Sequence, residues 1–281
     1  IARAFFVPDA TMGQRISRAK AKIARARIPY RIPEDHELPD RLPSVLATVY
    51  VVFTTGHHAH FGALDARIDL AEEAMRLGRL LADLMGDHPE VLGLLALMLA
   101  THARRRARLD AAGDLVLLAH QDRSLWDRAA ISEASDLLER ALRRHQPGPY
   151  QVQAAIACLH GAAESDAGTD WKQIVDLYRI LEQMTPLPVV QVNRAVAEAK
   201  VFGAEAGLEV LGAVRGMDDW HLYWSTRAEL LWESGDRTGA EAALRRSLDC
   251  SMNDTDRRFL ERRLVEVAAG DTDVGREAPR R

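Results

Sequence analysis

The chain has 281 residues, 47% of them hydrophobic and 28% charged, with a net charge of −4. That make-up suits a globular protein of one or two domains and excludes a disordered or fibrous chain. No apolar run reaches the ~18–20 residues that span a bilayer. The longest, Val45 to Phe53, is interrupted by Thr48, so the expectation is a cytoplasmic protein without a membrane partner.

The charge is unevenly spread. Residues 1–31 hold eight Arg and Lys against the single acid Asp9, a local +7 that leaves −11 for the rest. A basic end on an acidic body points to a nucleic-acid-facing segment. The first residue is Ile1 rather than Met, so a piece of a longer protein is expected.

In chain order, Ile1 to Phe6 reads as the end of a helix and Val7-Pro8-Asp9-Ala10 as a turn. Pro8 suits the first position of the next helix and Asp9 its positive end. That helix is expected over Asp9 to Ala26, because Met12, Ile16, Ala19 and Ile23 repeat at helical spacing. Gln14, Arg15, Arg18, Lys22 and Arg25 lie off this stripe. Residues 28–41 read as a Pro-rich linker, since Pro29, Pro33 and Pro39 remove backbone donors and disfavour helix before them.

From Leu42 on, helical periodicity dominates. Helices are expected at about 40–55, 67–86, 88–108, 124–145, 149–162, 170–184, 188–202, 205–214, 219–234, 237–250 and 254–268. Breaks fall at Gly86-Asp87-His88-Pro89, Pro147-Gly148-Pro149 and Thr185-Pro186-Leu187-Pro188. Asp110 to Gln121 reads as a loop packed on the core or a short strand, and 269–281 as a disordered tail.

Trp224, Ala228, Leu231, Ala240, Leu244 and Ser247 follow tetratricopeptide spacing, with Ala195, Gly207 and Leu211 as a weaker echo. Small residues let paired helices approach, and large ones fill the groove between them. The fold class is therefore all-α: a partial helix-turn-helix (1–27), the linker (28–41), a helical extension (42–146) and tetratricopeptide-like hairpins (147–268).

Cys158 and Cys250 stand alone and read as small buried apolar residues, not as a disulfide or zinc site. His57, His58 and His60 near Asp65 lack metal-ligand spacing and read as polar surface. Asp122, Arg123, Trp126 and Asp127 read as an ion-pair and capping network rather than a catalytic acid pair. Arg104, Arg105, Arg106 and Arg108 read as cations at a helix C-terminus or as a second nucleic-acid or polymerase contact. No phosphate loop, nucleophile elbow or nucleophile–base pair is present. No enzyme activity, cofactor, catalytic residue or metal is expected.

The segment Ile1-Ala2-Arg3-Ala4-Phe5-Phe6-Val7 through Thr11-Met12-Gly13-Gln14-Arg15-Ile16-Ser17-Arg18-Ala19-Lys20 resembles the end of sigma-factor region 4. The linker Ile28-Pro29-Tyr30-Arg31-Ile32-Pro33-Glu34-Asp35-His36-Glu37-Leu38-Pro39 resembles the signature that follows region 4 in one group of extracytoplasmic-function-type sigma factors. That group carries a large tetratricopeptide-like C-terminal extension. Matches continue in order through Pro89-Glu90-Val91, Gly113-Asp114-Leu115, Gln121-Asp122-Arg123-Ser124-Leu125-Trp126-Asp127 and Gly148-Pro149-Tyr150-Gln151, over residues 1–268. One departure is Thr54-Thr55-Gly56-His57, where the group has Asn-Glu-Gly-Tyr.

The resemblance implies transcription initiation with core RNA polymerase and promoter DNA as partners. Thr11, Gln14, Arg15, Arg18, Lys22 and Arg25 would be the DNA-binding residues at the −35 element. Region 2 is not found in these residues. The extension would be a regulatory module with a protein or peptide ligand. The competing reading is a helical-repeat interaction scaffold with no direct DNA role.

Overall fold

The computed structural model describes residues 9–26, 34–57, 65–250 and 254–269, without the side chains of 35 and 65–69. Among them are twelve α-helices and no named strand, as the all-α reading expects. The helix end and turn expected over Ile1–Pro8, the stretch 28–33, His58, His60 and the tail from Gly270 lie outside the described residues. The chain divides into two compact units between Leu84 and Met85.

The first unit holds α1 (Asp9–Arg25), α2 (Leu38–His57) and α3 (Asp65–Met85). Asp9 opens α1 at its positive end, and Lys22 and Arg25 close it, the charge order that complements a helix dipole. Only the start of its apolar stripe is covered: Met12 is buried, whereas Ile23 is 52% exposed. Helix α2 starts two residues before the expected boundary, after a 3-10 turn at Asp35–Glu37. Pro39 falls in its first turn, where no intrahelical N–H is required. Leu42, Leu46, Val49 and Phe53 are its buried face, and Ala71, Ala74 and Met75 are buried on α3.

The second unit is built on α4 (Pro89–His102), where every residue from Val91 to Ala100 is buried. An apolar helix without a polar face has to be central. It packs against α5 (Arg128–Leu142) and α6 (Pro149–Ala162). Gly93 permits the approach of α6: a Cβ there would lie 2.8 Å from the Gln151 backbone nitrogen. The chain continues through α7 (Trp171–Met184), α8 (Pro188–Phe202), α9 (Ala204–Ala213), α10 (His221–Glu233), α11 (Arg237–Cys250) and α12 (Asp254–Ala269). Consecutive helices pack as neighbours along this series. Helices α6, α8 and α11 have the expected bounds.

The repeat spacing falls on real contacts. Ala228, Ala240, Leu244, Trp224 and Leu231 share one cluster with Leu260 and Val267 of α12. Ser247 is fully buried and donates to the His221 carbonyl at 2.8 Å. Gly207 does for α8–α9 what Gly93 does for α4–α6, with the Ala195 carbonyl 2.7 Å from where its Cβ would stand.

Three expectations are corrected. The helix expected over 88–108 ends at His102 and is followed by a 3-10 turn at Arg105–Ala107. The Asp127 N–H takes the Ala103 carbonyl, so the chain leaves the helix to pair with a distant loop. The helix expected from 124 starts at Arg128, because Asp122 and Asp127 cap two successive elements: Asp122 accepts from Ser124 N–H and Asp127 from Ala130 N–H. Both cysteines are only partly buried, and both thiols are free. The segment 110–121 is a loop with one isolated antiparallel bridge, Leu109 to Leu115, rather than a strand. Gly113 turns it at φ +80° while Asp110 Oδ1 accepts from Ala112 and Asp114 N–H.

Candidate functional site

All six residues expected to face DNA lie on α1. Gln14, Arg15, Arg18, Lys22 and Arg25 are exposed, and Thr11 is half-buried. At 3.6 residues per turn the six share one arc of about 100° beside the Met12–Ile16 stripe. Among the described residues none of the four cations is ion-paired. The helix of 17 residues is about 25 Å long, enough to lie across a major groove.

The segments that carried the resemblance further along meet in space. Glu90, in the first turn of α4, turns its carboxylate onto the start of α6. Oε2 accepts from the Tyr150 N–H at 3.1 Å, and Oε1 from the N–H and Nε2 of Gln151 at 3.2 and 3.1 Å. This is an N-terminal cap supplied from a different helix, a charge-assisted bond at the positive end of α6. It also explains Gly148, where a Cβ would sit 2.3 Å from the Glu90 carboxyl carbon.

The Arg123–Trp126 segment closes the other end of α6. Arg123 is buried, and its Nη1 donates to the His160 and Ala163 carbonyls at 2.8 Å each. Arg128 Nη1 donates to the Gly161 carbonyl at 3.0 Å. Cations thus satisfy the orphan carbonyls of a helix C-terminus. The network expected around Asp122 to Asp127 is present, but Arg123 binds carbonyls rather than carboxylates.

Sequence reasoning missed what gathers above this cap. The Arg123 guanidinium lies 4.6 Å from the centre of the Trp126 ring, and Arg104, from the turn after α4, lies 5.8 Å from the same ring. Burial, then the Arg123 charge, pulls Arg104 down to about 10; burial, then Arg104, does the same to Arg108. His160 is pushed down to about 4 by burial first and then by Arg104 and Arg123, so it is neutral near pH 7. The run of arginines was a visible signal. Its pairing with the Trp126 ring, 22 residues along the chain, was not.

Of the acids and histidines that could suggest catalysis or metal, Asp122, Asp127 and His57 have structural settings, while His58, His60 and the Asp65 side chain lie outside the described residues. Asp122 and Asp127 are caps. His57, expected as polar surface, is instead buried and stacks on Phe53 at 5.3 Å. Among the described residues no group of three His, Cys, Asp or Glu could hold a metal ion. No described helix is long and apolar enough to cross a membrane.

Comparison with known proteins adds similarity without a function. A family of unknown function (DUF6596) matches residues 41–142, from α2 into α5. A protein of Rhizobium meliloti (strain 1021), named only as uncharacterized, is 42% identical over 281 residues, all of this chain. No solved structure matches. The chain spans 66% of that relative's length, and the similarity runs through α1 and the helical array alike.

Proposed function

We propose that this chain is the C-terminal part of a sigma-type transcription initiation factor. In this reading α1 reads the −35 element of promoter DNA and the helical array is a regulatory, partner-binding module. The whole protein would engage core RNA polymerase in the cytoplasm and catalyse nothing itself. The observation that supports this best is the single arc of α1: Gln14, Arg15, Arg18, Lys22 and Arg25 are exposed together, with half-buried Thr11 among them, over a helix whose apolar stripe is anchored at Met12. Gln suits adenine edges and Arg guanine edges or phosphates.

The test is promoter binding by the longer protein as a function of salt. Removing Arg15 or Arg18 should weaken binding and lower the log–log salt slope by about 1 each. Unchanged affinity and slope in both variants would remove the DNA reading. It would leave the scaffold reading, which the long array from α4 to α12 favours.

A further inference from the structure

The second unit is closed on itself by charge. From α4 to α12 the helices pack on their chain neighbours, and no extensive helix packing joins α4–α6 to α10–α12 among the described residues. A tongue of chain after α4, residues 108–116, bridges these two ends. At its tip Asp114 accepts from Arg262 Nη1 at 2.7 Å and from Arg258 Nε at 3.0 Å, and the Gly113 carbonyl accepts from Arg258 Nη2 at 3.5 Å.

The tongue is folded in its own right. The Val116 N–H donates to the Arg108 carbonyl at 2.9 Å and the Asp110 N–H to the Asp114 carbonyl at 3.0 Å. The Gly113 N–H donates to the Asp110 carbonyl at 3.0 Å, and Asp110 Oδ1 accepts from the Ala112 and Asp114 N–H groups. None of these bonds involves α12, so they survive when the tongue leaves it. The two sides are also anchored in separate cores. Ala107 and Leu118, at the foot of the tongue, pack with Ala103 and Trp126, whereas Leu260 and Val267 of α12 pack with α10 and α11.

Opening therefore breaks mainly charge contacts, and these are wet. The Asp114, Arg258 and Arg262 side chains are 20%, 50% and 43% exposed. Exposed ion pairs are weak and are screened by salt. The receiving side keeps its shape meanwhile, because Arg258 Nη2 also donates to Oγ1 of Thr255, buried on the same helix, at 2.9 Å.

We propose that the tongue 108–116 is a reversible latch, moving as one body on and off the Arg258–Arg262 pair and so opening and closing the array between its first and last helices. Closed, the pair is occupied by the chain's own carboxylate. Open, the faces by which the tongue and α12 meet are uncovered. The inference rests on the reading of the array as a partner-binding module and gives that module its regulation. It does not depend on α1.

The test uses the full chain with spin labels at Ala112→Cys and Ala268→Cys, both exposed positions, in a Cys158→Ser, Cys250→Ser background. Pulsed dipolar spectroscopy reads the distance between tongue and α12. At 50 mM salt one short distance should dominate. At 1 M salt a longer-distance population should at least double, roughly, as screening weakens the pairs. In Asp114→Asn the long population should be present at both salts, and the swap Asp114→Arg with Arg262→Asp should restore the short one. The salt series needs no change at the latch, so it stands even if a latch variant folds poorly. One unchanging distance at both salts, or an Asp114→Asn distribution equal to that of the parent, overturns the latch. Promoter binding is read on DNA with α1 variants, so either reading can fail while the other stands.

Discussion

Asp114 and Arg262 meet across 148 residues of chain, with Arg262 Nη1 donating to Asp114 Oδ2 at 2.7 Å. Arg258, one turn earlier on α12, donates its Nε to Asp114 Oδ1 at 3.0 Å. The loop after α4 is thereby tied to the last helix of the array. The hydrogen bond from Arg258 is the first cause holding the Asp114 carboxyl below its usual range, with the Arg262 charge adding to it.

Asp114→Asn should loosen this tie. Amide exchange is expected to speed up in α12 and in the 110–116 loop while α4 keeps its protection, with a melting temperature lower by a few degrees at most. Because the folded carboxyl titrates below its unfolded value, the contribution is present above about pH 4 and fades as pH falls through the folded value. Unchanged α12 exchange in the variant would show the tie to be idle.

Two glycines in helices should respond in opposite directions to alanine. Gly212 on α9 has open space around its missing Cβ, so Gly212→Ala should stabilise by up to ~1 kcal/mol through helix propensity. At Gly207 the same gain is outweighed, because the new Cβ meets the Ala195 carbonyl and the Ala199 Cβ at 2.7 Å each. A net loss of ~1–3 kcal/mol is expected from forcing α8 and α9 apart. Chemical denaturation of both variants checks the sign of each.

Stability should decline on acidification well before the carboxylates titrate. His102 and His160 are each pushed from 6.5 down to about 4, chiefly by burial. Between these values the unfolded chain binds protons that the folded chain refuses, so unfolding free energy rises with pH over roughly pH 4 to 6.5. The loss on going from pH 7.5 to 5 is on the order of 1–2 kcal/mol per histidine. A flat stability profile over that range in urea melts would contradict it.

Glu90→Ala should cost ~1–2 kcal/mol, by removing a charged cap and leaving the Tyr150 and Gln151 N–H groups unmet. Asp127→Ala, which deletes an ordinary N-cap on α5, should cost about 1 kcal/mol. A double-mutant cycle is expected to be additive, because the two caps serve different helices and share no bond. A coupling well above 0.5 kcal/mol would refute the separation.

Much of the fold was legible in the sequence because its signals are local. Pro149 and Pro188 open helices whose starts follow from sterics and missing donors within a few residues. The small residues Ala228 and Ala240 announce a close helix pair by spacing alone, and the basic face of α1 is fixed by the helical period. The tertiary structure alone decided which distant groups complete each other. It set Glu90 on the start of α6, Arg123 on its end, Arg104 over Trp126, and Asp114 between Arg258 and Arg262. The helix expected through Arg108 stops at His102 because the Ala103 carbonyl bonds the Asp127 N–H. Such contacts join groups some 20 to 150 residues apart. No local pattern encodes them, because they exist only once helix packing has brought those ends together.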